Sequence, residues 1–394
     1  MKDLRNYISI KRITLFSALI VVLFISEGCG ESEVFNEVEN IQDIIAPLPE
    51  YTPVPENNPQ TAEKINLGKQ LFWDPILSGN KDVACATCHH PEKGYADALD
   101  LSIGVNGIGL GEQRRGIVLA KRNANTIINT AYNGIKNDDS YTPQSAPMFW
   151  DNRAMSLEEQ ALLPLLSKEE MRGTAIPENI LYDSIINRLN QIEEYKLAFK
   201  NVFGEESISM EKVAQAIASF ERTIIANNSP FDRYIRGDVN AMNQQQINGM
   251  NAFINVGCAE CHSGPMFSDF ELHTIGVPDN PKLPSTDSGV NTYTFRTPSL
   301  RNLPLTAPYM HNGMHASLQE VMNFYEDVAE GDTDDINVHI SINDIDPLAR
   351  QLEMDNDVID EIIAFIEALD DNNFDKSIPA SVPSGLPVGG NIHN

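Results

Sequence analysis

Two five-residue stretches carry the most specific chemistry in this chain. Cys85-Ala86-Thr87-Cys88-His89 and Cys258-Ala259-Glu260-Cys261-His262 both read C-x-x-C-H. On a turn of helix, cysteines three apart share one face. Both thiols can then form thioethers to the two vinyl groups of one haem, and the adjacent histidine falls beneath the iron. A redox C-x-x-C, a four-cysteine zinc site and disulfides are the competing uses of these thiols. A zinc site would want its cysteine pairs closer in sequence, and it would need neither histidine. Two copies of the whole motif, 173 residues apart, predict two covalently bound haem c groups, with His89 and His262 as proximal ligands.

Those motifs must be held by a long chain. Its 394 residues exceed one ordinary core, and 42% hydrophobic with 21% charged residues is a globular balance. The formal charge of −28, from 28 basic and 56 acidic residues, argues against nucleic acid, which needs a basic footprint. It argues equally against an anionic substrate drawn in by long-range attraction. Residues 1–28 read as an export signal. Lys2, Arg5, Lys11 and Arg12 precede the uncharged run Ile13 to Ile25, which is short of the ~20 residues that span a bilayer. Gly28-Cys29 resembles a lipoprotein cleavage site, with ordinary cleavage or an uncleaved anchor as alternatives. All three place the body outside the cytoplasm, in the periplasm or beyond. Residues 29–60 are acidic and proline-dotted, as in a tether. Residues 376–394 show no period and predict a flexible tail.

Between these ends the reading is mainly α. Ser209 caps a predicted helix running to about Ala226, with Val213, Ile217, Phe220 and Ile224 on one face. Asp357 leads into Val358, Ile362, Phe365 and Leu369 in the same pattern, and 61–73 and 156–166 also read as helices. Stretches 99–117 and 276–296 predict long loops. The division expected is one haem domain over 61–185 and a second over 186–375.

Further segments carry a resemblance. They are Leu67-Gly-Lys-Gln-Leu-Phe-Trp-Asp74, Cys85 to Asp97, Phe149-Trp-Asp-Asn-Arg-Ala154, Ala218-Ser-Phe-Glu-Arg222, Ser229-Pro-Phe-Asp-Arg-Tyr234, Cys258 to Asp269, and Thr297 to Gly313. In this order around two haem motifs, the chain resembles the bacterial dihaem cytochrome c peroxidase family, which includes MauG, from about Leu67 to Leu369. The resemblance implies two cytochrome c-like haem domains with long irregular loops. The first would be peroxidatic and the second would transfer electrons. It implies a distal acid at Glu170 and a partner at Gln160, which lie 20 and 10 residues after Trp150. It gives Trp150 the place between the haems. The distal histidine of peroxidases that rest inactive is missing: His89 and His90 are the only histidines between the motifs, and His90 cannot reach the opposite haem face. An open first iron follows, as in MauG. The usual sixth-ligand methionine of the second haem is replaced by Tyr325, 14 residues after His311, with Met322 as its competitor. Asn123, Thr306 and Pro308 match positions that hold calcium between the domains. Asn125 and Asn312 stand where the family usually has proline and aspartate.

Three functions follow for weighing. The first is an exported peroxidase that reduces hydrogen peroxide with electrons from a small cytochrome c or cupredoxin. The second is a MauG-like oxidase that acts on a partner protein through a high-valent state. The third is a dihaem carrier or sensor without turnover. The sequence leaves open a homodimer.

Overall fold

The computed structural model describes residues 41–137, 140–205, 207–332 and 336–393, with backbone only at Asn356 and Asp357. The expected signal, Cys29 and the start of the tether lie outside the described residues. Eleven α-helical elements are described: α1 Ala62–Trp73, α2 Cys85–Cys88, α3 Leu157–Gln160, α4 Leu163–Leu166, α5 Leu181–Asn190, α6 Glu193–Phe203, α7 Met210–Glu221, α8 Pro230–Ile235, α9 Gln244–Val256, α10 Leu318–Glu330 and α11 Asn356–Glu367. The described strands are two-residue pieces, β1 Leu272–His273 and β2 Phe295–Arg296, paired antiparallel with Leu272 opposite Arg296. Among the described residues no helix is long and apolar enough to cross a membrane.

Caps set several helix starts. Thr61 accepts from the Lys64 N–H at 3.2 Å and opens α1. Ser209 does the same for Lys212 at the start of α7, at 3.3 Å. Asp355 caps α11 by accepting from Val358 at 3.0 Å. The helix predicted over 156–166 is instead two single turns, α3 and α4. Pro164 has no N–H to continue the ladder into Gln160, and the chain re-enters helix with that proline at its start.

Two helix crossings organise the molecule, and they use the same device. A Cβ on Gly68 of α1 would run into the Ala216 carbonyl of α7. A Cβ on Gly249 of α9 would run into the Glu361 carbonyl of α11. In each pair, glycine lets backbone meet backbone. A C-x-x-C-H motif follows the notched helix in both cases.

Around the first crossing, Leu67, Leu71, Phe72, Val213, Ile217 and Phe220 form one hydrophobic cluster, which also takes in Leu181, Ile185, Tyr195 and Phe199. Around the second, Phe231, Met250, Phe253, Phe267, Ile362 and Phe365 form another. The division expected after residue 185 therefore runs through the first cluster, which continues through Ala226 and takes up the chain again at Phe374. Helix α7 returns across more than a hundred residues to pack on α1, a contact with no local signature.

Two other expectations are corrected. The described part of the tether is packed: Ile45 is buried in the second cluster, Gly264 donates to the Ile44 carbonyl at 2.8 Å, and the Leu48 N–H donates to Asp232 at 3.0 Å. The tail expected to be flexible is pinned on the first cluster. Val382 and Ile392 are buried there. Ser384 Oγ donates to Asp74 at 2.7 Å, Gly389 donates to the Trp73 carbonyl at 2.8 Å, and Asn391 donates to the Asp82 carbonyl at 2.9 Å. The tail lacks a period because backbone groups make most of these bonds. Val382 and Ile392 bury side chains worth about 1.5–3 kcal/mol each. Truncation after Lys376 is thus expected to lower the thermal midpoint by several degrees. An unchanged melting curve would show that the tail adds nothing net.

Candidate active site: two cavities and the wall between them

Each motif opens into its own cavity. Cys85, Cys88 and His89 line the first, and Cys258, Cys261 and His262 line the second. All four cysteines are free of disulfides. Desolvation by the surrounding protein pushes the Cys85 and Cys258 thiols up to about 12.

The histidines are aimed alike. His89 Nδ1 lies 3.1 Å from the Tyr95 carbonyl, and His262 Nδ1 lies 3.0 Å from the Phe267 carbonyl. Such a bond fixes the tautomer and leaves Nε2 free for a metal. Both carbonyls belong to bulky residues with positive φ, 54° at Tyr95 and 53° at Phe267. That conformation costs on the order of 1–3 kcal/mol per residue and is found where a site needs it. Paired thiols without a disulfide and an aimed imidazole, both at the wall of a cavity, fit covalent haem at each motif.

Gln160, at the end of α3, lines the first cavity together with Glu169 and Glu170. Glu170 sits on a single π-helical turn, Lys168–Arg172, where its N–H donates to the capping Ser167 hydroxyl at 3.3 Å. Burial raises its carboxyl above the ordinary range, against the opposing pull of Arg153. His89 is the only histidine lining this cavity. His90 is turned away, its ring edge-on to Trp73 at 5.4 Å.

Trp150 lines both cavities. It is 8% exposed, and its indole N–H donates to the Asn123 carbonyl at 3.1 Å. The segment Asn123 to Thr126 stands in both walls as well. In the second cavity Tyr325 and Met322 both face the space that His262 enters. Burial raises the Tyr325 phenol well above its ordinary value.

The residues suggested for calcium meet only in part. Asn123 Nδ2 donates to the Leu99 carbonyl at 2.8 Å and to the Pro308 carbonyl at 3.3 Å, whereas the Thr306 hydroxyl donates to Leu303 at 3.3 Å. Turning the Asn123 amide over would place Oδ1 beside the Pro308 carbonyl, an oxygen pair that suits calcium.

Two charged groups escaped the sequence reading. Glu221 is 4% exposed and lines the first cavity, with Oε2 unpartnered among the described residues. Burial raises it to about 8, against the opposing pull of Arg222. The signal was present: Glu221 lies four residues after Ile217, on the apolar stripe of α7. His273 is bonded through Nε2 to Asp269 at 2.9 Å and through Nδ1 to Asp346 at 2.7 Å. Asp269 above all holds it up to about 11. Cys261, Asp269 and His273 are the one grouping among the described residues close enough to share an ion. Both ring nitrogens are already engaged by carboxylates, so this is an ion-pair triad beside the second motif.

A mainly helical chain with two such cavities sharing a wall is a c-type dihaem protein. The profile of the family described as di-haem cytochrome c peroxidase matches residues 62–240. The cytochrome-c peroxidase IdrP1 of Pseudomonas sp. (strain SCT) is 36% identical, over 82% of this chain and 85% of that protein. The methylamine utilization protein MauG of Methylophilus methylotrophus is 34% identical, over 82% and 87%. Among solved structures, a MauG-like protein associated with microbial copper homeostasis superposes with a TM-score of 0.65 at 26% identity, over 82% and 95%. The chain belongs to the dihaem cytochrome c peroxidase and MauG family, and its cofactors are haem c.

Proposed function

We propose that this protein reduces hydrogen peroxide to water at the first cavity, with electrons that enter through the second. The observation that carries this reading is Glu170: a carboxyl with a raised pKa stands beside Gln160 in a cavity whose only histidine is His89. Haem held by Cys85, Cys88 and His89 would supply the iron for peroxide chemistry and receive the electrons that enter through the second cavity. Glu170, as carboxylate, accepts the proton of the near peroxide oxygen and returns it to the far one as the O–O bond breaks. Gln160 orients the bound molecule by hydrogen bonding. Trp150, present in both walls, offers an oxidisable ring on the path between the cofactors. The overall step consumes one peroxide, two electrons and two protons and yields two waters.

The donor on this reading is a small basic cytochrome c or cupredoxin. Residues 227–375 contain 6 basic and 25 acidic side chains, a net of −19, which is most of the chain's −28. An acidic half around the second cavity steers a basic partner by complementarity. Export with Cys29 as lipid anchor, and calcium between Asn123 and Pro308, complete the proposal.

A second reading, MauG-like oxidation of a partner protein, is favoured by Tyr325. A tyrosinate ligand donates more strongly than a thioether and lowers the potential of its iron. One experiment separates the two readings. With a reduced small cytochrome as donor, stopped-flow peroxide reduction is expected to be fast. Without donor, the oxidase reading expects a long-lived near-infrared band after peroxide is added to the diferric protein. Negligible donor oxidation together with that band would overturn the peroxidase reading in favour of the second.

A further inference from the structure

Two arginines stand in the wall common to both cavities, Arg296 and Arg301, and Arg122 lines the first cavity beside them. Two of the three are neutralised. Arg301 makes a two-pronged bond to Asp232, at 2.9 and 3.0 Å. Arg122 is held by Asp287 at 2.6 Å and by Asp151 at 2.7 Å. Arg296 is different. It is 6% exposed, its Nε donates to the Phe149 carbonyl at 2.7 Å, and its guanidinium lies over the Phe270 ring at 5.7 Å. Among the described residues no carboxylate is within ion-pair distance of it. The one acid whose charge it feels is Asp151, which already serves Arg122 and Arg153. A buried cation without an anion is costly, and such groups are normally paired.

The cofactors carry the missing anions. Each haem c has two propionates, on the edge opposite its vinyl groups. Cys85 and Cys88 line only the first cavity, and Cys258 and Cys261 only the second. Haems attached there would keep their thioether edges off the shared wall and could turn their propionate edges toward it. There Arg296 presents a planar fork that matches carboxylates. We propose that Arg296 is the common counter-ion for propionates of both haems. One fixed positive charge then acts on both irons, disfavours the ferric state of each, and holds both reduction potentials up. Its backbone N–H, which donates to the Trp150 carbonyl at 2.7 Å, ties this charge to the ring between the cofactors.

The proposal rests on haem c attachment and not on which reaction the protein turns over, and its test involves no peroxide. Spectroelectrochemical titration of holoprotein, with haem content checked, would compare wild type with Arg296→Gln and Arg296→Lys. Both midpoint potentials are expected to fall in Arg296→Gln and to recover most of that fall in Arg296→Lys. A fall at one haem alone, or at neither, overturns the shared role. Should Arg296→Gln fail to load two haems, Arg296→Lys decides. It keeps the charge but loses the planar fork, so resonance Raman should show the propionate bending bands of both haems displaced. Unmoved bands at either haem overturn the proposal.

Discussion

Glu170→Gln is expected to lower peroxide-reducing turnover by on the order of 100-fold or more, the range that a positioned proton-transfer group contributes. The variant keeps the size of the native side chain, and the capping bond to Ser167 survives because it is made by the Glu170 backbone N–H. The haem spectra should therefore stay close to wild type, which separates loss of proton transfer from loss of the site. The pH profile adds a second signature. Glu170 must be ionised to accept the peroxide proton, and burial raises its carboxyl above the ordinary 4.5. The acid limb of the rate should therefore fall away at a higher pH than an unperturbed carboxylate would give, and it should vanish in the glutamine variant. Full activity in Glu170→Gln would remove the residue from the mechanism.

Asp232→Ala is expected to cost about 3–5 kcal/mol, as removal of one partner from a buried ion pair does. Asp232 is fully buried and Arg301 is 3% exposed. The carboxylate also accepts from the Leu48 N–H at 3.0 Å, the Ser229 N–H at 3.0 Å and the Ser229 hydroxyl at 2.7 Å. Its loss strands a guanidinium whose remaining bonds go to the Pro265 and Ala46 carbonyls, and it removes the side-chain half of the capping box that Asp232 forms with Ser229 at the start of α8. Thermal unfolding followed at the second haem should shift down by several degrees. Asp232→Asn, which keeps the shape without the charge, should fall between the two. Equal melting of Asp232→Ala and wild type would mean that Arg301 finds another partner at no cost.

What the sequence made legible follows from covalent and local rules. The two motifs were readable because thioether attachment fixes both residue types and spacing. Ser209 and the apolar stripe after it announced α7, since capping and a 3.6-residue period are local. Gln160, Glu170 and Trp150 were placed by spacing within a resemblance, and they do share one cavity. The misses are long-range. The Gly68 contact with Ala216 carries α7 into the first cluster, and nothing near either residue signals the meeting. The tail looked loose because glycine and proline have no apolar face, yet its backbone groups find partners on Trp73 and Asp82. Arg296 was hidden for another reason. A lone charge in sequence does not show whether a neighbour neutralises it, and only the fold reveals that Arg122 and Arg301 are answered while Arg296 is not.

The pinned tail has a consequence for how the protein is made. Thr87, between the first two cysteines, donates its hydroxyl to the Gly389 carbonyl at 2.8 Å across 302 residues. A chain emerging from a ribosome presents Cys85 and Cys88 long before Gly389 exists. During that interval one side of the first motif stands open, and the machinery that joins haem to cysteine has free approach. Arrival of Gly389 then closes that side of the motif, so the order of synthesis becomes an order of assembly.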